Sequence, residues 1–86
     1  MLGVNDLKNQ VSLYPNPAKA DASFYLTGIS NAKVTLINLL GQQIPIAIAT
    51  EGTITKVKPL IALSQGVYVV SILQNGKAAN LKWVVE

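Results

Sequence analysis

The 86 residues contain no cysteine, no histidine and no arginine. Without cysteine there is no disulfide framework and no thiolate nucleophile. Without histidine the commonest general base and metal ligand is missing. A zinc site would need carboxylates alone, which is unusual. Only four carboxylates exist, Asp6, Asp21, Glu51 and Glu86, and they are far apart in the chain. A pair of them for glycoside chemistry would have to be assembled by the fold. The five serines have neither a histidine nor an obvious lysine partner. Gly3 to Asp6 is no phosphate loop. No catalytic residue, no metal site and no cofactor is therefore expected.

Charge of either sign is scarce, at 13% of residues with a net value of +3. All seven cations are lysines, scattered along the chain, and only Lys56 and Lys58 form a same-face pair. Nucleic-acid binding calls for clustered basic residues, commonly arginine, so nucleic acid is not an expected partner. Long apolar runs are absent, which argues against a bilayer-spanning helix. Met1 is not followed by a basic region and an apolar core, so no signal peptide is read there. The lack of cysteine suits either a reducing compartment or an exported bacterial protein that does without disulfides.

Half of the residues are hydrophobic, which marks a folded chain and not a disordered one. Met1 to Asn9 reads as a polar linker or as residues foreign to the natural protein, and residues 10–86 read as one domain. Strand signals run from Gln10 to Tyr14, Asp21 to Ile29, Lys33 to Leu39, Gln42 to Ala49, Thr53 to Val57, Val67 to Leu73 and Ala79 to Val85. Their spacing of roughly 8–12 residues predicts an all-β, antiparallel β-sandwich of about seven strands. Lys33–Leu39 is apolar on both faces and predicts a central strand. Ile44, Ile46 and Ile48 are expected to share one face, with Pro45 marking an edge strand or a bulge. Phe24 and Leu26 are the expected inward pair of their strand.

The last third of the chain holds the strongest local signal. Asn75-Gly76 lies between two apolar runs and predicts a type I′ hairpin. On the final strand Leu81, Trp83 and Val85 share one face, and Asn80, Lys82, Val84 and Glu86 take the other. Tyr68, Val70 and Ile72 are most simply core. Trp83 is core if that face is inward, and a partner anchor if it is open. Gly41 and Gly66 each read as turn residues, and Pro15-Asn16-Pro17 as a rigid turn between strands.

Three segments together carry a resemblance. They are Leu13-Tyr14-Pro15-Asn16-Pro17-Ala18, then Val34 to Gly41-Gln42, and finally Leu63 to Ile72 running on to Lys82-Trp83-Val84-Val85-Glu86. In order and spacing, from about Val11 to Glu86, the chain resembles the type IX secretion C-terminal sorting domain of type A. Ala20 stands where that family commonly has glycine, and Trp83 is unusually large for its final strand. The resemblance implies an immunoglobulin-like sandwich that directs a larger cargo from the periplasm of a Gram-negative bacterium to an outer-membrane translocon. Shuttle proteins, a sortase-like peptidase and an N-terminal cargo domain are its implied partners. It implies a final location at the cell surface or outside the cell, with cleavage upstream of Val11.

The expected recognition residues are Gly66, Val67, Tyr68, Lys82, Trp83, Val84, Val85 and Glu86. Tyr14, Pro15, Asn16, Pro17, Gly41 and Gln42 form the structural motifs. If the final strand lies at a sheet edge, its unpaired backbone groups are expected to accept a partner strand, and edge-strand self-association is open. An adhesion or carbohydrate-binding module is the alternative. Tyr14, Tyr25, Tyr68 and Trp83 fall on four different strands, which counts against it.

Overall fold

Period-two alternation of apolar and polar residues makes strands that are inward on one face only. In a computed structural model, which describes residues 11–19 and 23–86, eight such strands form two four-stranded sheets. The strands are β1 (Ser12–Tyr14), β2 (Phe24–Thr27), β3 (Lys33–Asn38), β4 (Gln43–Ile44), β5 (Ile46–Glu51), β6 (Ile54–Pro59), β7 (Gly66–Gln74) and β8 (Lys77–Val85). One sheet has the order β1-β2-β6-β5 and the other β4-β3-β7-β8. All the strand pairings are antiparallel. The linker reading for Met1 to Asn9, the strand start at Gln10, and Ala20 and Asp21 lie outside the described residues.

The count exceeds the expected seven because Pro45 divides the Gln42–Ala49 run. Gln43 and Ile44 pair with Ile37 and Leu36 of β3, and Ile46 then pairs with Pro59 in the other sheet. Proline has no N–H to give to either ladder, while the Pro45 carbonyl still accepts from Leu60 N at 2.9 Å. The chain thus changes sheets at this residue. The expected run of Ile44, Ile46 and Ile48 is divided with it: Ile44 is buried in one sheet, while Ile46 and Ile48 share a face of the other, where Ile48 is 48% exposed. Both halves are edge strands, as proline in the run predicts.

β3 is interior to its sheet as expected, but only its Val34–Leu36 face is buried, and Leu39 beyond its end is exposed. β6 reaches Pro59 and buries Thr55 and Val57, so it is more of a core strand than its polar sequence suggests. Gly66 is not a turn residue; it opens β7 opposite Val85. At the β7–β8 turn Asn75 and Gly76 have φ of +52° and +76°, the positive pair that a type I′ turn requires.

The core lies between the sheets around Trp83, Phe24, Leu26, Leu36, Val70 and Ile72, all with no exposure. Trp83 packs on Phe24 with ring centroids 4.7 Å apart and on Tyr68 at 6.3 Å. A buried aromatic of this size removes on the order of 200 Å² from water, about 5 kcal/mol at 25 cal/mol per Å². The tryptophan therefore belongs to the core, with Val85 beside it, and it joins the last strand to the opposite sheet.

Candidate functional site

Two motifs nearly seventy residues apart in the chain meet at one end of the sandwich. β1 ends at Tyr14, and two of the next three backbone nitrogens belong to prolines, so Pro15-Asn16-Pro17 cannot continue a regular ladder. Both X–Pro bonds of this turn are cis. Asn16 instead uses its side-chain amide, which has the donor and acceptor of a peptide group. Its Nδ2 donates to the Lys82 carbonyl at 2.8 Å, and its Oδ1 accepts from Val84 N at 2.9 Å. Ala18 follows as a true parallel bridge to Val85. Its N–H donates to the Val84 carbonyl at 2.8 Å, and its carbonyl accepts from Glu86 N at 2.7 Å. From the core side, Trp83 Nε1 donates to the Pro15 carbonyl at 2.9 Å.

β8 is an edge strand, which meets the condition for accepting a partner strand. Its outward backbone groups from the Lys82 carbonyl to Glu86 N are nevertheless occupied by Asn16 and Ala18. The expectation of unpaired groups along Lys82–Glu86 is corrected on this point. A partner strand would have to displace the Asn16–Ala18 segment to pair there. Turn propensity revealed the stiffness of Pro15-Asn16-Pro17, but nothing local could reveal that its amide lies along a strand so distant in sequence.

The two expected recognition segments form one block. Gly66, Val67 and Tyr68 lie opposite Val85, Val84 and Trp83. Within it Tyr68, Trp83 and Val85 point into the core, where each is less than one-tenth exposed. Lys82 and Glu86 are exposed, and Val67 and Val84 are half-buried on the outer face. The outer face of the block is therefore an apolar pair of valines flanked by one cation and one carboxylate. Tyr68 also fixes the preceding loop, donating its hydroxyl proton to the Ser64 carbonyl at 2.7 Å.

Gly41 and Gln42 do not join this block; they lie beside β4, at the opposite edge of the sheet from β8. Their turn is organised by Asn38, whose importance the sequence reading missed. Asn38 Oδ1 accepts from Leu40 N and Gln42 N, each at 2.9 Å, while its Nδ2 donates to Gln42 Oε1 at 2.9 Å. The signal was an asparagine just ahead of Leu39-Leu40-Gly41, the residue type that bonds its own following backbone. Gly41 has φ +85°, as a turn glycine should.

The aromatics are less dispersed than their positions on separate strands suggest. Tyr14 and Tyr25 are cross-strand partners on the outer face, stacked with centroids 5.4 Å apart. With Ala49, Glu51, Ile54 and Lys56 they line a shallow cavity of about 390 Å³. Among the described residues no group of three or more acidic side chains could hold a metal ion.

The model of a family described as secretion system C-terminal sorting domain matches residues 12–86. No curated protein matches the chain. Among solved structures, the crystal structure of the Lin-41 filamin domain is similar, with a TM-score of 0.66 over 90% of this chain and 92% of that one, at 13% identity. At that identity the likeness is one of fold, and it is an immunoglobulin-like sandwich.

Proposed function

The chain belongs to the secretion-system C-terminal sorting domain family, and from that premise we propose that it is the signal that takes an N-terminal cargo domain from the periplasm across the outer membrane. In this reading the domain is a binding module and not an enzyme. Its partners are the type IX translocon and its shuttle proteins, and a sortase-like peptidase then cuts upstream of Val11. Residues 1–9 are the linker to the cargo, and the cargo ends at the cell surface or in the medium.

One observation carries the reading furthest. Five hydrogen bonds lock the Pro15–Ala18 segment to Trp83 and the rim of β8, so the first and last motifs of the domain make a single surface. The partner reads Lys82, Val84, Glu86 and Val67 from the outer face. Tyr68, Trp83 and Val85 hold that surface in place from beneath, and Asn16 keeps its edge closed.

The test is export of a fluorescent reporter fused ahead of the full chain and given a periplasmic signal peptide. Strains with and without the translocon are compared. Deleting Lys82–Glu86 would also remove Trp83 and Val85 from the core, so surface variants are the sharper probe. Lys82→Glu and Val84→Lys should trap a folded reporter in the periplasm. Export of both variants at the wild-type level would refute this assignment of the recognised surface. A wild-type reporter trapped equally in both strains would refute the sorting reading itself. In that case the stacked Tyr14–Tyr25 pair above its cavity favours the glycan-binding alternative, which a glycan screen with Tyr25→Ala as control would check.

A further inference from the structure

A sandwich of two sheets has four edge strands, and three of these are blunted. β1 has three residues and β4 has two, too short to template another strand. β8 is covered by Asn16 and Ala18 along its last residues and carries Lys77 and Lys82. Short edges, covers and lysines are the usual protections against pairing. β5 has none of them. It is six residues long, with five of the six exposed, and reads Ile-Ala-Ile-Ala-Thr before its only charge at Glu51. Among the described residues nothing pairs with its outer side.

The ladder shows which groups are free. Leu60 N bonds to the Pro45 carbonyl, which places the Pro45–Leu60 rung in the hydrogen-bonded set. Antiparallel rungs alternate, so Ala47, Ala49 and Glu51 bond to β6, while Ile46, Ile48 and Thr50 aim their N–H and C=O groups away from the sheet. Pro59, which lacks an N–H, falls opposite Ile46 on a rung that needs none.

We propose that β5 is a self-association edge, and that its occupant is β5 of a second copy of this chain, antiparallel across a two-fold axis with Ala49 opposite Ala49. Each Ile48 then exchanges both backbone bonds with Thr50 of the second copy. Charge supports this register. Glu51 falls opposite Ala47 of the second copy, whose neighbour on β6 is Lys58. Strands lie about 4.8 Å apart, so Glu51 and that lysine are roughly 10 Å apart at the backbone and meet over a methyl group. The two Lys56 side chains stand three spacings apart, roughly 14 Å, beyond the Debye length of about 8 Å at physiological salt. On the inner face, a cleft of about 340 Å³ opens beside the edge between the sheets, lined by Val34, Ile29, Ile48 and Thr50. The second copy's Ile48 sits over it. Isologous closure of this kind ends at the dimer.

Sedimentation equilibrium of the 86-residue chain up to about 1 mM should show a monomer–dimer equilibrium of the weak class expected for an interface this small. Ile48→Lys should weaken it at least about 10-fold, the effect of placing a lysine on an edge. Glu51→Lys should weaken it about 3-fold or more, and Glu51→Lys with Lys58→Glu should restore it, as paired charges do. A chain that is monomeric at the highest concentration overturns the proposal. So does a dimer that is indifferent to Ile48→Lys, or a charge swap that fails to restore it. Should Ile48→Lys unfold, hydrogen exchange of the wild type decides: concentration-dependent protection of the Ile48 and Thr50 amides supports the edge, and its absence overturns it. A monomeric outcome leaves the sorting reading untouched, since that reading stands on the other sheet.

Discussion

Replacing Asn16 by alanine removes a clamp whose parts are all visible. The substitution deletes one hydrogen bond to the Lys82 carbonyl and one from Val84 N. Each is worth about 0.5–1.5 kcal/mol net, which gives about 1–3 kcal/mol together. Asn16 is exposed and the bonds lie at the rim of the sheet. Water can therefore reach the abandoned groups, no buried unsatisfied penalty is added, and the loss should fall at about 1–2 kcal/mol. For a domain of this size m in urea is about 1 kcal/mol per M. Asn16→Ala should then lower the urea midpoint by about 1–2 M with m unchanged, and the melting temperature by about 5–15 °C.

Hydrogen exchange tests the cause separately from the total. The Val84 amide should lose protection in Asn16→Ala, while amides in the middle of β7 keep theirs up to the global limit. Asn16→Asp is the informative companion. It keeps an acceptor for Val84 N but sets a carboxylate oxygen against the Lys82 carbonyl, so it should be no more stable than the alanine variant. A midpoint within about 0.3 M of the wild type, with Val84 still protected, would refute the claim that Asn16 closes this edge.

Three other parts of the fold give further outcomes. Trp83→Ala should cost about 3–5 kcal/mol, the range for a large aromatic cut from a core, and Trp83→Phe only about 1–2 kcal/mol, since it keeps a ring against Phe24 and loses the bond to Pro15; equilibrium denaturation followed by far-UV circular dichroism measures both. Gly76→Ala should cost about 1–2 kcal/mol, because an L side chain is strained at φ +76° although the space is open, and a thermal melt reads it directly. Asn38→Ala should cost about 1–2 kcal/mol by freeing the Leu40 and Gln42 amides, while Leu40→Lys at an 85% exposed position should stay within about 0.5 kcal/mol of wild type.

Much of this protein is local, and so was legible in the chain. Period-two alternation named the inward faces of β2 and β7 and put Leu81, Trp83 and Val85 on one face of β8, because a side chain's face within a strand depends only on its parity. The β7–β8 hairpin followed from Asn75-Gly76, whose positive φ values are a property of two residues. The ordered motifs from Tyr14 to Glu86 pointed to the family. Only the tertiary structure decided what depends on the company a segment keeps. Pro45 announced an edge strand or a bulge, but its carrying the chain from one sheet to the other depended on which strands lay within reach on either side. Pro15-Asn16-Pro17 announced a turn, but the Asn16 amide became a rung of β8 because packing of Trp83 against Phe24 brings the two ends of the domain together. Edges follow the same rule. A strand's outer hydrogen bonds belong to whatever lies beside it, so the covered rim of β8 and the bare rim of β5 could be told apart only once the sheets were assembled.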